Sequence, residues 1–181
     1  MKNICIILIL SFFGVLGLQA QGPPTPGGSG SAPVGGFNGI ANGDATAHIV
    51  QPIGVIKISD LKFGNVAAGS NSGTVVISIT GDRSATGGAT LIAAGNVSNA
   101  AAFDITGYPD ASFTISLPAS ILIASGANNM EIDNFVSSLG ASSNLDGSGE
   151  AALKVGATLN VGTNQAVGLY TGSFDVTIAY N

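Results

Sequence analysis

The chain has 181 residues, five of them Lys or Arg and ten Asp or Glu, for a net charge of −5 at pH 7. The basic residues, Lys2, Lys57, Lys62, Arg83 and Lys154, stand singly, so no stripe exists to neutralise phosphates and the sequence argues against nucleic acid as a partner. Only 8% of residues are charged while 27 are glycine, which turns the expectation from helices toward short strands and turns, in a chain long enough for one domain with a core.

The N-terminus carries the pattern of a secretory signal. Lys2 supplies the positive start, Ile4 to Leu18 is almost wholly apolar, and Leu18-Gln19-Ala20 ends in a small residue, so residues 1–20 are expected to be removed after Ala20. Fifteen apolar residues are short for a permanent span and no charged stop follows. The single cysteine, Cys5, lies in this segment, and the exported chain should therefore contain neither disulfide nor thiolate. No later hydrophobic run approaches membrane length, so no membrane span is expected in the mature chain; the expected location is the periplasm, the cell surface or the medium.

Residues 21–43 hold four of the seven prolines and eight glycines, the composition of a flexible arm or linker; a sharper alternative has Phe37 and Ile40 docking on a neighbouring subunit. The ordered domain is expected over residues 44–181. Ala45, Ala47 and Ile49 alternate with Thr46, His48 and Val50, and after Pro52 the segment Ile53 to Ile58 reads as a strand with a bend near Pro52. Ala68 to Gly73 reads as a turn, Thr74 to Thr80 as a β-branched strand, Gly81 to Gly88 as a loop and Ala89 to Ala94 as a strand. Ala102–Thr106 and Ser112–Leu117 predict a hairpin around Gly107-Tyr108-Pro109-Asp110, with Ser98–Phe103 able to make at most one helical turn. Ile121–Ala124, Met130–Ser138, Ala151–Val155 and Thr158–Val161 add further short strands. Turn signals about every ten residues point to an antiparallel β-sandwich or barrel rather than to βαβ units. The last strand is the clearest: Phe174, Val176, Ile178 and Tyr180 alternate with Ser173, Asp175, Thr177 and Ala179.

No catalytic site, cofactor site or metal site is expected. His48 is the only histidine, Gly69-Ser70-Asn71-Ser72-Gly73 has Asn where a nucleophile elbow needs Ser, and one His without cysteine cannot build an ordinary zinc site. Asn144-Leu145-Asp146-Gly147-Ser148-Gly149-Glu150 resembles the start of a calcium loop, but Val155 stands where the closing Glu belongs, and a solvated loop is the better reading. Asp82 and Arg83 suggest a surface ion pair, and Glu131 and Asp133 a strand's polar face; tryptophan, the usual sugar platform, is absent.

Taken together, Leu61-Lys62-Phe63-Gly64, the Gly81–Gly88 loop, Phe103-Asp104-Ile105-Thr106-Gly107, Thr114-Ile115-Ser116-Leu117-Pro118, Leu153 to Leu159 and the closing Gly168–Asn181 pattern resemble the exported bacterial domain of unknown function 4402 family over residues 44–181. The C-terminus also looks like that of chaperone-usher pilins, with Tyr180 as the penultimate aromatic and Gly168 fourteenth from the end. That resemblance implies an immunoglobulin-like, pilin-like sandwich left incomplete. Its missing strand would come first from a periplasmic chaperone of an outer-membrane assembly pathway and then from another subunit. Under that expectation Gly168, Phe174, Val176, Ile178 and Tyr180 border the acceptor groove. Ala45, Ala47, Ile49, Ile53 and Val55 form either the donor strand or the domain's own first strand. The expected role is a non-catalytic, fimbria-like surface subunit capable of self-association. The alternative is a self-contained adhesin for carbohydrate or a surface, using Tyr108, Tyr170 and the polar loops.

Overall fold

Apolar residues recur at every second position through most of the ordered chain, and a backbone with that period buries one face of each strand while it leaves the other in water. In the computed structural model, which describes residues 41–181, ten strands and no helix result. They are β1 Gly54–Ser59, β2 Asn65–Ile77, β3 Arg83–Ile92, β4 Ala101–Thr106, β5 Ser112–Ser116, β6 Ser120–Ser125, β7 Asn128–Ser137, β8 Ser142–Asn144, β9 Glu150–Val161 and β10 Thr177–Tyr180. All pairings are antiparallel, in a seven-stranded sheet and a three-stranded sheet ordered β10-β5-β8 that pack in a sandwich-like arrangement. The chain divides into units Met1–Ala45 and Thr46–Asn181. Of the first, the described residues 41–45 are exposed and without regular structure. The signal segment, Cys5, and the arm through residue 40 lie outside the described residues.

β9 is the spine of the large sheet. Val155 faces Ala101 of β4 on one edge and Ser137 of β7 on the other, while Asn160 faces Thr74 of β2 and Glu131 of β7. One edge of β9 is thus shared in tandem by β4 and β2, and β7 runs along the opposite edge. Gly156 sits at the changeover, where a Cβ would collide with the Ile77 carbonyl oxygen. Leu153 and Val155 are buried in one core cluster with Phe103, Ile105, Phe113 and Leu145. Ala157, Leu159 and Val161, on the same face of β9, are buried in the other with Val75, Ile77, Ile123 and Ile132. A single alternating strand therefore supports both cores.

Several local readings change in three dimensions. β4 and β5 do not form the expected hairpin: β4 lies between β1 and β9, and β5 between β10 and β8, so both edges of each are already filled. The connection instead crosses between sheets, with Gly107 N–H donating to the Gly149 carbonyl at 2.8 Å and Asp110 N–H to the Asp146 carbonyl at 3.1 Å. Ala68–Gly73 is not a turn but part of β2, and Arg83–Gly88 is part of β3. Their glycines serve close approach of two strands at a bulge, where a Cβ on Gly73 or Gly88 would strike opposing backbone. The true reversal is Ser78–Asp82, and the two strands expected over 151–161 are one. The Ser98–Phe103 segment makes a bridge from Asn99 to Lys62 and then enters β4, with no helical turn.

Candidate functional site

The closing strand pairs Tyr180 with Phe113, Ala179 with Thr114, Ile178 with Ile115 and Thr177 with Ser116. Regular pairing covers only Thr177–Tyr180, shorter than the alternation from Phe174 predicts, but the alternation of burial persists: Phe174, Val176, Ile178 and Tyr180 are half-buried, and Asp175, Thr177 and Ala179 exposed. All four apolar side chains pack against the cluster of Ile105, Phe113 and Leu153. Phe174 meets Phe103 edge-on at 6.3 Å between centroids and Phe135 in a tilted stack at 5.0 Å.

Tyr180 also ties the two ends of the domain. Its hydroxyl accepts the Tyr108 N–H at 2.7 Å and donates to the Gln51 carbonyl at 2.8 Å. This bond brings the segment before β1 to the end of β10, and Ile53 packs on the same core cluster. Neither Gln51 nor the Tyr108 amide was legible as a partner, because backbone atoms carry no sequence signature.

Among the described residues, no strand pairs with the outer edge of β10, and none with the edge of β1 that faces away from β4. Val55 lies directly opposite Ile105, so both side chains share one sheet face. Ile105 is fully buried, yet Val55 is 41% exposed. The covering of that face ends between them. β1 and β10 thus border a strip of the sandwich that the described strands leave partly open, while Ile56, opposite the exposed Asp104, is exposed on the other face of the sheet.

The residues expected at an assembly edge fall into two groups. Ile53, Val55, Phe174, Val176, Ile178 and Tyr180 lie along this strip. Ala45, Ala47 and Ile49 do not form the strand their alternation predicts; they are exposed in a segment without regular structure, Ile49 at 94%. Pro52 cannot donate a ladder hydrogen bond, and β1 begins only after it. Gly168 is exposed beside Ser125 at the end of β6, away from the β10 ladder.

The other polar motifs are engaged in structure. His48 stands edge-on to Tyr108 at 5.7 Å. Asp82 and Arg83 do not pair: Asp82 accepts the Thr80 hydroxyl, and Arg83 donates to the carbonyls of Phe63, Asn65 and Ile92 at 2.8, 3.1 and 3.1 Å. The guanidinium fork therefore laces the ends of β2 and β3 together. Asp146 accepts the amides of Ser148 and Glu150 at 2.8 and 2.9 Å, which closes the 144–150 loop on itself. Among the described residues no group of three or more His, Cys, Asp or Glu is gathered as for a metal ion, and no helix is long and apolar enough to cross a membrane.

These features define a class: an all-β, sandwich-like domain whose terminal strand pairs on one edge. The chain belongs to the family described as Domain of unknown function (DUF4402), whose model matches residues 53–180. No curated protein and no solved structure matches it.

Proposed function

We propose that the protein is a non-catalytic, exported structural or cell-surface subunit whose immunoglobulin-like sandwich is completed by a strand from another molecule. The observation that carries this reading is the outer edge of β10: its backbone groups have no strand partner among the described residues, beside a row of half-buried Phe174, Val176, Ile178 and Tyr180. An unpaired edge next to uncovered apolar surface is a template for strand addition, in which backbone bonds give affinity and alternate side chains give register. The donor is the exposed Ala45–Val50 segment of a second copy, whose Ile49 side chain has no burial of its own. A periplasmic chaperone would hold the same edge before assembly, as in the pilins that the C-terminus resembles. Because the row is already half-buried, covering it adds roughly half of the 1.5–3 kcal/mol that full burial of a large side chain is worth.

The reading is tested by adding a synthetic peptide of residues 44–51 to the exported full chain and following thermal unfolding and amide exchange. The peptide should raise the midpoint and slow exchange at residues 177–180, and the same peptide carrying Ile49→Asp should do neither. A chain that stays monomeric at high concentration and unfolds cooperatively at a midpoint unmoved by the peptide overturns it. The self-contained adhesin reading draws on Tyr108, 39% exposed beside His48. Tyr170 serves it less well, since its hydroxyl is committed to the Ala166 carbonyl and the Gln165 amide.

A further inference from the structure

The large sheet carries, on its outward face, a polar row that strand complementation does not use. Thr86 lies opposite Thr74, Thr74 opposite Asn160, and Asn160 opposite Glu131, so four side chains cross β3, β2, β9 and β7 in one line. Cross-strand partners share a face, and the adjacent Val75, Leu159 and Ile132 are buried, so the row points away from the core. Three strand spacings make it about 14 Å long, roughly the span of three sugar rings.

The row lies in a groove of about 540 Å³ whose walls are held in place. At one end the Gln165 side-chain amide donates to the Asn129 carbonyl at 3.2 Å and to the Tyr170 hydroxyl at 2.8 Å. The Asn164 N–H donates to the Gly69 carbonyl at 2.9 Å, which fastens the loop after β9 to the β2 bulge.

The hydrogen-bonding inventory selects the ligand. Thr74 and Thr86 Oγ1 are 2.7 Å apart, so one hydroxyl donates to the other and the second keeps its proton for a guest. Among the described residues, the Asn160 amide and the Glu131 carboxylate have no side-chain hydrogen bond or ion pair within the protein. The groove therefore offers a hydroxyl donor, an amide that both donates and accepts, and a strong acceptor, in a line. Adjacent hydroxyls of a saccharide, each donor and acceptor at once, answer that pattern. No Lys or Arg lines the groove, and Asp133, on the same face as Glu131, adds a second negative charge; both disfavour an anionic guest. Only Met130 and Val161 among the lining residues are large and apolar, too little to hold an apolar ligand. We propose that this groove binds an uncharged oligosaccharide, laid across β3, β2, β9 and β7 and read through its hydroxyls.

The test uses the exported full chain, isotope-labelled, titrated separately with maltohexaose, cellohexaose, chitohexaose in its N-acetylated form and hexagalacturonic acid. Saturable amide shifts centred on Thr74, Thr86, Asn160 and Glu131 are expected with at least one neutral hexamer and not with the acid. Thr74→Val with Thr86→Val preserves shape and strand preference, so it should leave the unfolding midpoint in place while affinity falls by about tenfold or more. Asn160→Ala should act in the same direction, and Glu131→Gln should admit the acidic hexamer. The proposal is overturned if no neutral hexamer gives saturable shifts, if the acid binds the unaltered protein as tightly, or if the double valine variant binds undiminished. Because strand addition is read at residues 177–180 and glycan binding on the opposite face of the other sheet, either reading can fail without the other.

Discussion

β9 and the closing segment share one sequence device and meet different fates. In β9, Leu153, Val155, Ala157, Leu159 and Val161 share one face, their neighbours exposed or half-buried except for Gly156 at the changeover, and all five are at most 4% exposed. In the closing segment, Phe174, Val176, Ile178 and Tyr180 alternate as regularly and remain half-buried. The difference lies in the edges: β9 has strands on both sides, while β10 has β5 on one side and, among the described residues, none on the other. Alternation sets which side chains face the core. How completely they are covered depends on strands that arrive from elsewhere.

The sharpest way to break that comparison is to truncate one residue in each strand. Leu153→Ala should cost about 3 kcal/mol, read as a lowered midpoint in thermal or denaturant unfolding, because a fully enclosed Leu leaves a cavity that its neighbours cannot fill. Ile178→Ala should cost about half as much, on the order of 1.5 kcal/mol, since part of its surface already meets water. Equal losses would mean that β10 is as enclosed as β9 and would remove the distinction.

Next in size is Tyr180→Phe, which keeps the ring on the core and deletes only the hydroxyl between Gln51 and Tyr108. The expected loss is about 1 kcal/mol, accompanied by faster exchange of the Tyr108 amide. An unchanged amide would show that the hydroxyl does not hold the N-terminal segment against β10.

The smallest effect belongs to β1. Asp60 is held below its ordinary value of 3.8, first by the hydrogen bond from Lys57 and then by the charge of Lys57, with Lys62 adding to the same direction. A depressed carboxylate contributes stability above its unfolded value and loses it as pH falls through the folded one, so the window lies below 3.8. The pair is exposed, with 62% and 55% of the two side chains in solvent, so Lys57→Met should raise the Asp60 titration toward 3.8 in an NMR pH series while leaving the unfolding midpoint where it was. A shifted midpoint would make this edge more enclosed than its exposure indicates.

The legible part of the candidate site was its apolar row. Phe174, Val176, Ile178 and Tyr180 could be placed on one face from spacing alone, and Glu131 with Asp133 on one polar face for the same reason. Ala45, Ala47 and Ile49 show the limit of that signal: small residues alternate without enough surface to bury, and Pro52 interrupts the ladder before β1. The glycines of 69–88 were misleading for the opposite reason. Glycine marks a turn when the chain reverses, and it also marks two backbones brought unusually close, and only the neighbour's position distinguishes the two. Arg83 looked like half of an ion pair beside Asp82, yet three carbonyls at strand ends outcompete it, because they converge where its fork can reach them all.

By itself the sequence determined that this is an all-β protein, which side chains of its alternating strands face inward, and that Pro52 interrupts the ladder. Those are properties of one residue and its near neighbours, set by side-chain period and backbone sterics. Tertiary structure alone decided that β4 and β5 belong to different sheets, that β9 serves two cores, that β10 lies at an edge, and that Thr86, Thr74, Asn160 and Glu131 stand in line. Each of these depends on which strand fills an edge, and a strand offers the same unpaired backbone groups to every candidate partner, so the choice is made by the packing of the whole domain.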